Sequence, residues 1–316
     1  QNNASMYSQG NIVLESNDSI ENTQKDMLQI AAAGNVDLTS QDLINQGKIY
    51  SGYNEDGTWK NTGNIKLDFH NRAADLTGEI SAAGTVNIVS DYDVTNNGFI
   101  YSGTGSSINL GVTGAFVNNS SLVSYGNVGI DAGNVTNNGE LIAGYTSADE
   151  GFANNNGDIS IKANSTFLNN SSILANGNID INSELHLINT GDIYSRKDIT
   201  LGSSSGDVYS YNFTDDEIEK NPFIGARGSI DVEGNNIHLL GDVLSASVQN
   251  GESGYITVNE PEDHLKLNAA ETVTVEGTLG SYIGNIEITG NDIGVMNSDI
   301  FSNHYSNSNL DLTAVV

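Results

Sequence analysis

Short segments in which apolar and polar residues alternate recur along the whole chain. One kind has the form (Gly/Ser)-x-(Ile/Val)-x-(Leu/Ile/Val), as in Gly177-Asn178-Ile179-Asp180-Ile181. A period of two places both apolar side chains on one face of a β-strand. The residue between them is polar in nearly every copy, so we expect it to face solvent and its neighbours to form a core. The first apolar residue of each copy is Ile12, Val36, Ile65, Val86, Ile108, Val128, Ile159, Ile179, Ile199, Ile230, Ile256, Ile286 or Leu310.

A second kind of segment, Asn-x-(Gly/Ser)-x-(Ile/Leu), alternates with the first. We interpret it as the other strand of a repeat, and its Asn and Gly suit a bend that needs a positive φ. Asn side chains in register on successive turns can also form hydrogen-bonded ladders. Copies begin at Asn45, Asn96, Asn118, Asn137, Asn169, Asn189 and Asn297, and copies without the Asn begin at Gly78, Gly206, Gly241 and Gly277.

The spacing of the repeats predicts the fold. The shortest spacing is 20 residues, from Ile159 to Ile179 and again to Ile199. Units of this length cannot bury an apolar face alone and must stack on their neighbours. Like strands repeated in one direction pair in parallel, and such crossovers are almost always right-handed. The sequence therefore predicts an all-β, right-handed parallel β-helix of about 13 turns, a single rod segment over residues 1–316 that belongs to a longer protein.

Insertions lengthen some of the turns. Most follow the Asn-x-Gly strand and are expected at one corner of the coil, whereas residues 259–268 are expected at another. Within the longest insertion, Thr214–Lys220 has a capping-box pattern that predicts a short helix. The predicted loops outside the coil are residues 52–62, 145–156, 211–226 and 259–268.

Two adjoining segments carry a family resemblance. Leu187-Ile188-Asn189-Thr190-Gly191-Asp192-Ile193-Tyr194-Ser195, followed by Asp198-Ile199-Thr200-Leu201, resembles the repeats of filamentous-haemagglutinin-type exoproteins. That family comprises large proteins of bacterial two-partner secretion, including adhesins and the stalks of contact-dependent inhibition toxins. The resemblance covers nearly the whole chain. It implies a secreted protein at the bacterial surface, an outer-membrane secretion partner and a receptor, protein or glycan, on a host or neighbouring cell.

Composition narrows the choice of partner. With 40 acidic and 11 basic residues the net charge is −29, which repels nucleic acids and anionic lipid surfaces. The chain has no Cys and therefore no disulfide framework or thiolate metal site. No apolar run is long enough to insert into a membrane. We expect a monomer that has no cofactor.

A carbohydrate-active enzyme is the alternative function, because some β-helix proteins are polysaccharide lyases or hydrolases. The nearest approach to a carboxylate cluster is Asp158, Asn178 and Asp198 in equivalent positions, with Asp180 beside them. Since other repeats hold Asn, Thr or Ser there, we interpret the row as a solvated polar ladder. The five histidines show no metal-ligand spacing, so the sequence predicts no metal site, no catalytic residues and no enzyme.

Aromatic residues mark the candidate partner-binding edge. Trp59, the only Trp, lies in the first loop, where it either anchors a partner or packs over the neighbouring turn. The position after the buried Ile or Leu of the Asn-x-Gly strand is often apolar, and this row is either a partner-binding face or a surface covered by loops. Tyr194 and Tyr209 are expected to stack on consecutive turns, near acids that favour a basic or cation-bridged partner. The candidate residues are Trp59, Tyr194, Tyr209, Asp215, Asp216 and Glu217.

Overall fold

The computed structural model describes residues 5–23, 29–144, 156–211, 221–245, 264–281, 284–296, 298–302 and 310–314. Every regular element in these ranges is a β-strand, and all ladder pairings between the strands are parallel. No helix in these ranges is long and apolar enough to cross a membrane. The predicted all-β parallel β-helix is confirmed. The chain divides into two compact units, residues 1–163 and 164–316, which are described separately.

Three ladders of strands build the first unit. The first ladder contains β2 (Ile12–Glu15), β5 (Val36–Ser40), β8 (Ile65–Phe69), β11 (Val86–Ser90), the first parts of β14 (Ile108–Asn118) and β16 (Val128–Asn137), and β18 (Ile159–Ala163). The second contains β3 (Ser19–Asn22), β6 (Asp42–Asn45), β9 (Ala74–Leu76), β12 (Val94–Asn96) and the last parts of β14 and β16. The third contains β1 (Met6–Ser8), β4 (Gln29–Ala32), β7 (Lys48–Ser51), β10 (Glu79–Ala82), β13 (Ile100–Ser102), β15 (Ser121–Ser124) and β17 (Glu140–Ala143).

The second unit repeats the three ladders. Its first ladder contains β21 (Ile179–Ser183), β24 (Ile199–Ser203), the first parts of β27 (Ile230–Leu240) and β29 (His264–Glu276), β31 (Asn285–Gly290) and β34 (Leu310–Ala314). The second contains β19 (Thr166–Asn169), β22 (His186–Asn189), β25 (Asp207–Ser210), the last parts of β27 and β29, and β32 (Asp292–Val295). The third contains β20 (Ser172–Ala175), β23 (Asp192–Ser195), β26 (Phe223–Ala226), β28 (Asp242–Ser245), β30 (Thr278–Ser281) and β33 (Asp299–Ser302).

The first ladder has the predicted alternation. In β8, Ile65, Leu67 and Phe69 are buried while Lys66 faces solvent. Burying each aliphatic side chain contributes about 1.5–3 kcal/mol before the entropy of ordering the chain is subtracted. Val13 is an apolar residue at the position that is polar in most copies, between Ile12 and Leu14, and it too is exposed. Stabilisation is therefore distributed along the stack of turns.

The Asn-x-Gly segment is two strands rather than one. Its Asn is the last residue of a second-ladder strand, and its Ile lies in the following third-ladder strand, as with Asn189 in β22 and Ile193 in β23. The predicted Asn ladder is confirmed: Asn96 donates a hydrogen bond to Asn118 and Asn118 donates to Asn137, each at 2.8 Å. Each turn therefore has three strands, and the buried Asn row fills the corner between the second and third.

The predicted positive φ at the Gly of this segment is wrong for most copies. Only Gly241 and Gly277 have it, with φ of 104° and 146°. The reason for Gly elsewhere is close stacking of the turns: a Cβ on Gly139 or Gly191 would lie 1.9 Å from the carbonyl oxygen of the residue below. That distance is far inside van der Waals contact, so the slot favours Gly for space.

Several predicted boundaries differ from the structure. Ile256 lies outside the described residues, and its place in the first ladder is taken by Leu265, which pairs with Ile230 and Ile286. Strand β29 begins at His264, so the end of the predicted loop 259–268 is strand. The end of the predicted loop 211–226 is strand β26. The loop 211–226 also connects the second ladder to the third. The loops 52–62 and 145–156 connect the third ladder to the first, so loop 211–226 lies at a different corner from these two.

Candidate binding site

The first predicted loop, residues 52–62, is a hairpin in the first unit. Tyr53 and Trp59 form an antiparallel bridge, and Asn54 N donates to Thr58 O at 2.8 Å. At the tip, Gly57 has a φ of 86°, a conformation that favours Gly. The backbone N and Oγ1 of Thr58 donate to Asp56 Oδ1 at 3.0 and 2.6 Å. These hydrogen bonds from Thr58 lower the pKa of Asp56.

Two glycines close the base of the hairpin. A Cβ on Gly52 would lie 2.5 Å from Ala83 Cβ, and one on Gly63 would lie 2.3 Å from Gly52 N, while both residues have positive φ. Gly52 N donates to Gly34 O at 3.1 Å, which ties the base to the turn below. The backbone N of Glu55 donates to Tyr7 Oη at 2.8 Å and fixes the tip. The hairpin is thus held at both ends.

Three aromatic rings support one another on this hairpin, and we call Tyr50, Tyr53 and Trp59 the aromatic triad. The ring centroids are 5.0 Å apart for Tyr53 and Trp59, 5.1 Å for Tyr50 and Tyr53, and 5.4 Å for Tyr50 and Trp59. All three pairs are inclined, a favourable geometry for aromatic side chains. Trp59 packs on Tyr50 and Tyr53 and remains 46% exposed.

Tyr50 is the buried member of the aromatic triad. It belongs to the apolar outward row, but the hairpin covers it and leaves it 7% exposed. Its hydroxyl donates to Glu79 Oε2 at 2.7 Å, and Lys48 Nζ lies 3.7 Å from the same oxygen. Burial and then the Glu79 carboxylate raise the pKa of Tyr50 far above its ordinary value. At this position the interpretation of a row covered by a loop is confirmed.

A groove runs beside the exposed face of Trp59. One wall is formed by Trp59, Lys60 and Asn61, and the other includes Tyr101 and Thr104, with Ala83 and Gly103 between them. Its volume is about 180 Å³. Tyr101 follows the buried Ile100 and therefore belongs to the outward row that the sequence predicts. The sequence does not connect Tyr101 with Trp59, because that proximity depends on the hairpin folding back.

Tyr101 is braced by two further rings. Phe99 lies parallel to it at a centroid distance of 6.1 Å, and Tyr125 meets it edge-on at 5.9 Å. Aromatic side chains have few torsions, so a braced ring loses little entropy when it makes a contact. The groove therefore has rigid walls on both sides.

The predicted stacking of Tyr194 on Tyr209 is wrong. Tyr194 lies in the third ladder opposite Gly225, whereas Tyr209 lies in the second ladder between Ile188 and His238. The segment Gly206–Ser210 has the motif of a third-ladder strand but occupies the second ladder. The two tyrosines therefore cannot form the predicted flat surface.

Neither tyrosine is a well-exposed docking residue. Tyr194 is 2% exposed, and its hydroxyl accepts a hydrogen bond from Arg227 Nε at 3.3 Å. Tyr209 is half-buried and donates to Asp207 Oδ2 at 2.8 Å, an interaction that raises the pKa of Tyr209. Asp215, Asp216 and Glu217, and the helix predicted around them, lie outside the described residues.

The carboxylate row has structural partners. Asp198 Oδ1 accepts a hydrogen bond from the backbone N of Ser229 at 2.8 Å, and Asn178 Oδ1 accepts one from the backbone N of Asp198 at 3.3 Å. Asn35 and Asn64 play the same part in the first unit. Among the residues that the structure describes, no group of three or more His, Asp or Glu is arranged to hold a metal ion.

Comparison with known proteins identifies no relative: no family model, no curated protein and no solved structure matches this chain.

Proposed function

We propose that this chain is the binding segment of a large secreted exoprotein displayed on a bacterial surface, of the filamentous-haemagglutinin type that its repeats resemble. In this proposal it binds a receptor on a host or neighbouring cell and is not an enzyme. The observation that carries the proposal is the presentation of Trp59. A half-exposed indole on a hairpin that is hydrogen-bonded at base and tip resembles the rigid aromatic anchors of interfaces.

The surrounding scaffold supports the same function. Loops on a rigid repeat are where recognition is usually located, and the hairpin interrupts an otherwise regular stack of strands. The ordering cost of binding is low because the triad is already packed before a partner arrives. The strong negative charge favours a partner that is neutral or basic.

Cell binding by the full chain tests this proposal. Labelled protein is incubated with a panel of epithelial and bacterial cells and measured by flow cytometry. Trp59→Ala should weaken binding about tenfold or more, since central aromatic anchors contribute about 2 kcal/mol. Tyr92→Ser removes an equally exposed ring, 47% against 46%, that does not line the groove, and should leave binding unchanged.

Circular dichroism and urea unfolding of both variants establish that they are folded. Equal binding by the wild type and Trp59→Ala would contradict the proposal and favour a spacer role. Loss of binding in Tyr92→Ser as well as Trp59→Ala would place the contact on a broader surface than the hairpin.

A further inference from the structure

The groove beside Trp59 has the dimensions of a site for one small ring. Its volume of about 180 Å³ is below the range of about 300–1,000 Å³ for pockets that hold drug-sized ligands. A protein partner would instead cover about 800 Å² of surface on each side. The shape therefore favours a compact ligand held between the walls formed by Trp59 and Tyr101.

Three polar side chains line the groove, those of Lys60, Asn61 and Thr104. Among the described residues, the amide of Asn61 and the hydroxyl of Thr104 make no hydrogen bond, and Lys60 makes no ion pair. The other basic residues described in the first unit each lie 2.8 to 3.7 Å from a carboxylate: Lys48, Lys66, Arg72 and Lys162. The groove thus combines an exposed aromatic face with hydrogen-bonding groups that remain available.

Charge distinguishes between the possible ligands. The groove itself contains one cation and no carboxylate, but the other side of the hairpin carries Glu55 and Asp56, which line a second groove with Lys60. The whole chain has a net charge of −29. An anionic ligand would meet this field, whereas an uncharged ligand with several hydroxyls uses the same donors without that cost.

We infer that the groove between Trp59 and Tyr101 binds the ring of an uncharged sugar. The apolar face of the ring packs on the Trp59 indole, and its hydroxyls bond to Lys60, Asn61 and Thr104. This inference rests on the proposed function and names the class of receptor, a neutral glycan. A single ring in a groove of this size binds with about millimolar affinity, and surface display of many copies raises the avidity.

Trp59 itself supplies the measurement, since it is the only Trp of the chain and its fluorescence reports directly on the groove. The full chain is titrated with methyl glycosides of glucose, galactose, mannose and N-acetylglucosamine, and with glucuronic acid as the charged counterpart of glucose. At least one neutral glycoside should give a saturable change that salt does not alter. Tyr101→Ser should weaken that binding about tenfold, Asn61→Ala should weaken it less, and Tyr92→Ser should leave it unchanged.

The outcomes separate this inference from the proposed function. No saturable change with any neutral glycoside, or tighter and salt-sensitive binding of glucuronic acid, overturns the inference. If Trp59→Ala abolishes cell binding while no neutral sugar binds, the groove is not a neutral-glycan site and only the inference fails. If neutral sugar binds but Trp59→Ala does not change cell binding, the sugar site is supported and the adhesive function is not.

Discussion

The position that holds the buried Asn of the second-ladder strands is filled in opposite ways in two regions of the molecule. In the first unit, Asn96, Asn118 and Asn137 form a buried chain of amide hydrogen bonds. The second unit begins in the same way, with a buried hydrogen bond of 2.8 Å from Asn169 to Asn189. In its later turns, Leu239 and Val275 pair at the same position and are buried without polar atoms. An amide needs a partner on the adjacent turns, whereas an aliphatic side chain only needs contact. The same corner can therefore be built from either chemistry, but not from isolated amides.

Leu76 shows what happens where the two chemistries meet. It pairs with Asn45 on one side and with Asn96 on the other, so it interrupts the amide row. Asn45 accepts a hydrogen bond from Asn22 at 2.8 Å, but its own Nδ2 is buried and has no partner among the described residues. A buried donor left unsatisfied costs about 1–3 kcal/mol, so the interruption is a local weakness of the first unit.

The largest expected effect comes from comparing two single variants that each replace a buried Leu by Asn, one in the aliphatic region and one in the amide row. Leu239→Asn has Ser210 and Val275 as neighbours in register, so it loses aliphatic burial and leaves its amide largely unsatisfied. We expect a loss of about 3–5 kcal/mol. Leu76→Asn has Asn45 and Asn96 as neighbours and should lose about half as much. Urea unfolding followed by circular dichroism measures both, and equal losses would mean that continuity of the amide row does not matter.

Removing an amide from the middle of the row should have the next largest effect. Asn118→Leu leaves Asn96 without its acceptor and Asn137 without its donor, so we expect a loss of about 2–3 kcal/mol. The control is Asn119→Ala, which removes an exposed amide hydrogen-bonded to Asn97 and should change stability by less than about 0.5 kcal/mol. Urea unfolding measures the stability of both variants. A similar loss of stability in both would show that burial of an amide does not increase its contribution.

Much of this comparison was predictable from the sequence. Alternation around Ile65 and Leu67 predicted the first ladder, and the recurrence of Asn predicted a hydrogen-bonded amide row, but not its burial. The repeat also suggested two strands per turn, because Asn and the following Ile belong to one motif. The structure bends the chain between them, where Gly191 packs against the turn below. That bend depends on contact between turns, which local alternation does not encode.

The candidate site was only partly predictable for a related reason. Gly191–Ser195 and Gly206–Ser210 have nearly the same sequence, yet they occupy different ladders, so the pattern misplaced Tyr209 relative to Tyr194. Trp59 was identified as a loop aromatic from its position alone. Its packing on Tyr53 and its proximity to Tyr101 arise from the hairpin and could not be inferred from a period of two.

A smaller expected effect concerns how stability depends on pH in the two regions. In the second unit a polar contact between turns lies outside the aliphatic corner: Asn236 Nδ2 donates to Asp207 Oδ1 at 2.9 Å. Burial acts in the opposite direction, but hydrogen bonds from Asn236 and Tyr209 prevail and lower the pKa of Asp207. A carboxyl whose pKa is lowered by folding stabilises the protein above its unfolded pKa, and this contribution is lost as the pH falls through the folded value.

The free energy of unfolding falls in acid, and Asp207→Asn should make this fall smaller by less than about 1 kcal/mol. Urea unfolding from neutral pH down to about pH 3 gives this slope. Asn118→Leu supplies the matched contrast, because amides do not titrate and its loss should be the same at every pH. An unchanged slope in Asp207→Asn would show that Asp207 is not a source of acid sensitivity.

The two glycines at the base of the hairpin affect how the sequence of this loop can evolve. Gly52 and Gly63 bring the two ends of the inserted segment into contact, and Gly52 N is hydrogen-bonded to the turn below. The backbone path of the coil is therefore closed at the base of the inserted segment. A lineage can exchange the intervening residues for another loop while the ladders are inherited intact. The same junction is a natural place for an engineer to graft a foreign epitope or binding loop.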